Sequence, residues 1–303
     1  MIKGHSIGIQ LKKFKKIHIE ITNICNLQCS FCPEVLRAKS TMPLDLFEQA
    51  VDQAGPLTEQ ICLHLMGEPL SHPQFAEIIK ICENKKVKVF LVSNAVLLNE
   101  LKAPLLMSPC IEQVNFSLHS FHDNYGDKDP KIYLQKIFNF TERAFIERPD
   151  LFINYRLWNL DSPLGTGLHN KKMLEKIEEH FGVQIQPQID VRRNKSHRIK
   201  NKLYLHFDTE FVWPSLNQPY LGEHGTCHGL SSHFGILVDG SVVPCCLDKE
   251  ACIKLGNIKN EPLIDILKSE KSQKIIRGFK KNLLTEELCK HCSYIKRFEK
   301  KSN

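Results

Sequence analysis

Residues 17–32 read IHIEITNICNLQCSFC, and this stretch decides the fold. Ile17, Ile19 and Ile21 alternate with His18, Glu20 and Thr22, the period-two pattern of a strand with one apolar face. A loop carrying Cys25, Cys29 and Cys32 follows at once. Working outward, strand-like runs recur at about 60–66, 87–92, 112–118, 151–157 and 183–189. Helical patterns fall between them. Leu44, Phe47, Val51 and Ala54 share one face after Pro43, and Ile78, Ile79 and Cys82 follow Pro73. Further helices are predicted from about Leu97, over 130–146 and over 170–181. Six strands alternating with helices require right-handed parallel crossovers, hence an α/β sheet or barrel. Chemistry in such folds gathers at the carboxyl ends of the strands, where the Cys25 loop falls.

The chain has 303 residues, enough for a sizeable core without cross-links, and carries 41 Lys+Arg against 34 Asp+Glu for a net charge of +7. No apolar run approaches the ~18 residues of a membrane span, and Met1 to Lys16 lacks the apolar stretch of a signal peptide. The expectation is a cytoplasmic protein with no membrane partner. Twelve cysteines in a reducing compartment point to metal or redox chemistry rather than disulfides. Beyond residue 190 the pattern changes. Arg192, Arg193, Lys195, Arg198, Lys200 and Lys202 make a basic stretch read as an exposed connection. A hairpin is predicted from Phe234 to Val243 with Asp239-Gly240 as its turn, then a helix over about 262–279, then Cys289-x-x-Cys292.

Cys25, Cys29 and Cys32 are spaced by three and two residues. Three thiolates can hold three irons of a [4Fe–4S] cluster and leave the fourth without a protein ligand, an open position of the kind catalytic metal sites keep. Zinc would want a fourth ligand nearby, and the loop contains no histidine. Cys227, Cys245, Cys289 and Cys292 form a second group of four, able to saturate another [4Fe–4S] cluster; a Cys₄ zinc ribbon is the competing reading, and Cys246 is an alternative to Cys245. Cys62, Cys82 and Cys110 sit at apolar positions and read as small core residues, with Cys252 a spare.

The Cys-x-x-x-Cys-x-aromatic-Cys loop, with Phe31 as the aromatic, resembles the signature of the radical S-adenosylmethionine (SAM) superfamily. Met66-Gly67-Glu68-Pro69 ends the second strand where that family has Gly-Gly-Glu-Pro. Ser93-Asn94 ends the third, Ser117 the fourth, and Arg156 lies on the fifth. The resemblance implies a partial (β/α)6 TIM-like barrel over roughly residues 15–190, within a core of residues 1–190. It implies SAM on the open iron of the Cys25/Cys29/Cys32 cluster, with Phe31 near the adenine. Gly67 and Glu68 would receive the amino group through a backbone carbonyl and a carboxylate. Ser93 and Ser117 would contact ribose or carboxylate, and Arg156 or Lys128 would face the carboxylate. Reduction would cleave SAM to methionine and a 5′-deoxyadenosyl radical that abstracts hydrogen from substrate.

The second cysteine group is similar to the short SPASM or "twitch" extension of that superfamily, here a cysteine-rich hairpin plus helix over 225–295. A basic connection (191–224) precedes it and a basic tail (296–303) follows. Its spacing resembles that of twitch-containing dehydrogenases that oxidise an alcohol carbon of an amino-cyclitol. The resemblance implies an oxidation of a small molecule, with the auxiliary cluster accepting an electron and a flavodoxin or ferredoxin as reductant. A maturase of ribosomally made peptides is the runner-up. An RNA-modifying enzyme, with the 192–202 segment and Lys12, Lys13, Lys15 and Lys16 on phosphates, and a non-enzymatic iron–sulfur or zinc protein are further alternatives. His119, Tyr155 and Lys128 fall near strand ends, but sequence assigns no catalytic base.

Overall fold

The computed structural model describes residues 13–160, 166–185, 195–210 and 212–298. In chain order it runs β1 (Phe14–Ile19), α1 (Leu44–Ala54), β2 (Thr58–Cys62), α2 (Phe75–Asn84), β3 (Val89–Ser93), α3 (Ala103–Leu106), β4 (Ile111–Ser117), α4 (His119–Tyr125), α5 (Lys131–Glu147), β5 (Phe152–Leu157) and α6 (Thr166–Phe181). Then come β6 (Ser196–Lys200), β7 (Leu203–Phe207), β8 (His233–Ile236), β9 (Ser241–Val243), β10 (Gly256–Asn257), α7 (Leu263–Lys268), α8 (Glu270–Lys280) and α9 (Glu287–Lys290).

All the strands join one sheet in the order β10-β9-β8-β1-β2-β3-β4-β5-β7-β6. The run from β8 through β1 to β5 and β7 is parallel, and β6 and β9 add antiparallel edges. The sheet does not close, which fits a partial barrel. Alternation along each strand explains its two faces. Ile17 and Ile19 on β1, Ile153 and Leu157 on β5, and Leu203, Leu205 and Phe207 on β7 are buried. Their neighbours Lys16, His18, Asn154, Arg156, Tyr204 and His206 are half-buried and face the opposite, concave side. The apolar face packs on helices: α1 buries Leu46, Phe47, Ala50, Val51 and Ala54, and α2 buries Phe75, Ile78, Ile79 and Cys82. Burying a side chain of the Leu, Ile or Phe class contributes about 1.5–3 kcal/mol.

Four sequence expectations shift. The sixth parallel strand is β7, not the 183–189 run; residues 183–185 carry no strand and 186–189 lie outside the described residues. Much of the expected basic connection is therefore the β6–β7 hairpin. Its charges are put to structural use, with Lys195 on Asp208, Arg198 on the Asn201 carbonyl and Lys202 on the Asp150 carbonyl; Arg192 and Arg193 lie outside the described residues. The helix expected from Leu97 shrinks to α3, whose first turn contains Pro104. The 262–279 helix is two helices, broken at Ser269, whose side chain accepts from the Ser272 N–H and caps α8. The predicted hairpin is present as β8–β9, with Gly240 at φ +89°, the left-handed conformation its turn requires. Because β8 pairs in parallel with β1, the second cysteine region continues the barrel sheet.

Candidate functional site

The first thiol loop is held by neighbours from several strand ends. Cys25 and Cys32 are exposed and Cys29 is half-buried. Leu27 N–H donates to Cys25 Sγ at 3.4 Å, Asn94 Nδ2 reaches Cys25 Sγ at 3.8 Å, and Asn124 Nδ2 donates to Cys29 Sγ at 3.1 Å. α4 clamps the loop from one side. Asn124 Oδ1 accepts from Gln28 N–H at 2.8 Å, while the Asp123 carboxylate accepts from Ser30 N–H at 2.6 Å and Ser30 Oγ at 2.5 Å. A hydrogen bond between their thiols holds Cys29 below and Cys32 above the usual thiol range, and burial raises Cys25. Clustered thiols that oppose one another's ionisation, surrounded by N–H donors aimed at sulfur, suit a polynuclear cation that takes them as thiolates.

β2 ends at Cys62, so Gly67 and Glu68, expected at its end, fall in the segment after it, and from there they lie against this loop. Gly67 has φ +76°, and a Cβ there would stand 2.4 Å from the Thr22 carbonyl oxygen, so only glycine lets the chain pass this close. Glu68 N–H donates to the Ile24 carbonyl at 2.9 Å. Its carboxylate is 2% exposed and accepts from Leu70 N–H (3.0 Å), Ser93 Oγ (2.8 Å) and Asn94 N–H (2.7 Å). Burial raises its pKa despite these donors. The expected amino-group acceptor is thus placed as a brace joining the segment after β2 to the end of β3, with Ser93 tied to it. Phe31 packs on His119 with ring centroids 4.9 Å apart, and Ser117 is half-buried at the end of β4.

Arg156 points across the concave face. Its guanidinium lies 4.2 Å from the Trp158 ring and 5.7 Å from the Phe90 ring; Asn115, with its amide oxygen turned toward it, accepts from Nε at 2.7 Å and from Nη2. The Lys16 ammonium stands 3.8 Å over the same Phe90 ring. His18 and His64 meet edge to face at 5.4 Å, and His18 Nδ1 shares a hydrogen bond of 3.1 Å with the His64 carbonyl. Burial lowers His18 to about 3 and His233 to about 4, leaving both neutral near pH 7. Of the base candidates, Tyr155 faces the helices, its hydroxyl 2.7 Å from Thr141; His119 is buried on the Arg156 carbonyl and lowered to about 4; Lys128 is exposed beside Tyr125.

In the second group the Cys245 thiol feels Cys246, Cys227 and Cys289, while Cys289 and Cys292 each feel Cys227, and burial raises all of them. Cys246 is pushed up to about 11 by burial and faces Cys227 and Lys16. Cys227, Cys245, Cys246, Cys289 and Cys292 thus lie within electrostatic reach of one another, with Lys16 close to Cys246. Among the described residues no three His, Cys, Asp or Glu side chains converge as a single-ion site. An open depression of about 570 Å³ lined by Lys13, Asp52, Glu59 and Lys86 lies at the amino ends of the strands and contains no thiol. Sequence reading named Asn94 only beside Ser93, as a position that holds SAM in the family, and missed Asp123 and Asn124 in the clamp of the first loop; a polar run directly after a strand end was their one signal.

Residues 19–156 match the model of the radical SAM superfamily, and residues 227–293 match that of the SPASM iron–sulfur cluster-binding domain. A tungsten-containing aldehyde ferredoxin oxidoreductase cofactor-modifying protein of Pyrococcus furiosus is 27% identical over 108 residues, 34% of this chain and 30% of that protein. Among solved structures, BtrN in complex with AdoMet and 2-DOIA superposes with a TM-score of 0.60 at 17% identity, covering 93% of this chain and 94% of its own. Streptococcus suis SuiB bound to its precursor peptide SuiA gives 0.62 at 16%, covering 96% and 74%. Native anSMEcpe with AdoMet and a peptide gives 0.56 at 16%, covering 92% and 86%. The two matched domains imply SAM and two iron–sulfur clusters. No helix among the described residues is long and apolar enough to cross a membrane.

Proposed function

With residues 19–156 matching the radical SAM model and residues 227–293 the SPASM model, we propose an oxidation of a small organic molecule bound on the concave face of the sheet. Cys25, Cys29 and Cys32 hold the SAM-binding cluster, and Cys227, Cys245, Cys289 and Cys292 hold the auxiliary one. Together these groups supply hydrogen-atom abstraction by way of SAM cleavage and an acceptor for one electron. The substrate loses a hydrogen atom, a proton and an electron, and a flavodoxin- or ferredoxin-type protein supplies the electron that starts each turnover. Asn94 and Asn124 donate to cluster thiolates, Gly67 allows the segment after β2 to meet the loop, and Phe31 with Ser117 borders the SAM side.

The observation that carries this reading is the pairing of β8 with β1. These neighbouring parallel strands lead into the second and first thiol groups respectively, so the electron acceptor adjoins the concave face lined by Lys16 and His18. The peptide reading draws support from the likeness to SuiB, whose structure holds a precursor peptide. A fractionation decides between them. Anaerobically reconstituted protein, expected to hold roughly eight irons, is given SAM, dithionite and either the small-molecule or the peptide fraction of a cell extract. Small molecules should raise 5′-deoxyadenosine and yield a product two hydrogens lighter. Stimulation by peptides alone would move the assignment to a maturase. Cys227→Ala/Cys292→Ala should still cleave SAM yet form no oxidised product.

A further inference from the structure

Among the described residues, the concave face holds two cations without an anionic partner. Lys16 and Arg156 come from opposite parts of the sheet, β1 and β5, and approach one aromatic ring, Phe90, at 3.8 and 5.7 Å. Neither forms an ion pair with a described carboxylate, although the acidic side chains elsewhere are well used: Glu20 is taken by Arg37, and Asp208 by Lys195 and Arg297. Asn115, Phe90 and Trp158 hold Arg156 by neutral contacts. The nearby Cys62 thiol does not neutralise the pair, since burial pushes it up to about 12. The histidines stay neutral for the same reason. Burial lowers Lys16 and brings Arg156 to about 9, and Arg156 lowers Lys16 further. A second orphan lies beside them. His64 Nδ1 is buried with no hydrogen-bond partner, its ring 5.3 Å from Phe90.

We propose that Lys16 and Arg156 form an anion subsite on the concave face, with His64 as a further hydrogen-bonding group, and that the substrate carries a carboxylate or phosphate seated there. Two like charges kept partly desolvated next to each other are unfavourable by themselves and favourable once a shared anion enters. The inference builds on the radical SAM reading for the purpose of the cavity, but its test needs no turnover.

Reconstituted full-length protein is titrated with sodium acetate and with inorganic phosphate against chloride of equal ionic strength, following the fluorescence of Trp158, which touches Arg156. Wild type should respond saturably, with Lys16→Met and Arg156→Met weakening the response about tenfold or more. Preference between acetate and phosphate identifies the anion. Lys16→Met should also raise the thermal midpoint, because an unpaired buried charge is removed; a lysine serving only its contact with Phe90 would lower it. No saturable response in wild type, an equal response in Lys16→Met, or loss of the response at saturating SAM would overturn the proposal, the last by giving the site to the SAM carboxylate. 5′-Deoxyadenosine formation by the same wild-type preparation tests the enzyme reading separately.

Discussion

At the residue scale, Gly67 shows how a backbone position governs a metal loop. Its φ of +76° and the 2.4 Å approach of a hypothetical Cβ to the Thr22 carbonyl mean that Gly67→Ala must push the segment after β2 away from residues 22–24. Strain of this kind costs about 1–3 kcal/mol, and it falls on the segment that leads into Cys25. The variant should retain roughly four irons, those of the second group, out of roughly eight, with 5′-deoxyadenosine formation lost; full iron with full cleavage would refute the role. Glu68 behaves differently, since it works through three accepted hydrogen bonds. Glu68→Gln presents an amide nitrogen to at least one of the Leu70, Ser93 and Asn94 donors, leaving that donor unpaired. The cost should be about 1–3 kcal/mol in thermal or denaturant unfolding. SAM affinity should fall less than stability if Glu68 is a brace.

At the element scale, α4 is the device that grips the first thiol loop. Its Asn124 gives one N–H to Cys29 Sγ and takes one from Gln28, so it both tunes the sulfur and fixes the loop. A donor to thiolate sulfur stabilises the extra negative charge of a reduced cluster. Asn124→Ala should therefore lower the reduction potential of that cluster and slow SAM cleavage at a fixed reductant potential, with iron content retained. An unchanged potential in a redox titration followed by electron paramagnetic resonance would contradict this. Helix α4 also marks where sequence reading stopped. His119–Tyr125 spans only seven residues, with Phe121 and Tyr125 its one apolar pair at helical spacing, and its polar side chains have meaning only against a loop some ninety residues earlier. β7 was legible in principle, because Leu203, Leu205 and Phe207 alternate with Tyr204 and His206 as cleanly as β1 does. The basic residues just before it drew the reading toward an exposed connection. The concave face was hidden for a related reason: a strand face lining an open barrel is polar, and in sequence it looks like a face turned to water. The thiol loops were legible because cysteine spacing survives without knowledge of the fold.

At the scale of the whole molecule, the two cysteine regions are one body joined through residues 34–37. Glu250 accepts from the N–H groups of Leu36 and Arg37, Arg37 Nε donates to the Lys249 carbonyl, and Lys249 Nζ reaches the Glu34 carbonyl. Arg37 also pairs at 2.8 Å with Glu20, which is fully buried at the end of β1 and accepts from Val238 N–H in the β8–β9 turn. Glu20 thus ties the first strand, the segment after the first thiol loop and the hairpin leading to Cys245. Removing its cation leaves a buried carboxylate unpaired, so Arg37→Met should destabilise by about 3–5 kcal/mol. The pH dependence has a definite sign. Burial raises the Glu20 pKa above its ordinary value even with Arg37 present. A raised carboxyl favours the native state while protonated and loses that advantage as pH rises through the native pKa. Arg37→Met raises the native pKa further, so the gap in stability from wild type should widen from pH 5.5 to pH 8 in thermal unfolding. Glu20→Gln/Arg37→Met should recover much of the loss and flatten the dependence. A gap equal at both pH values would mean that Arg37 acts through its contacts with the 249–250 segment rather than through the charge it places beside Glu20.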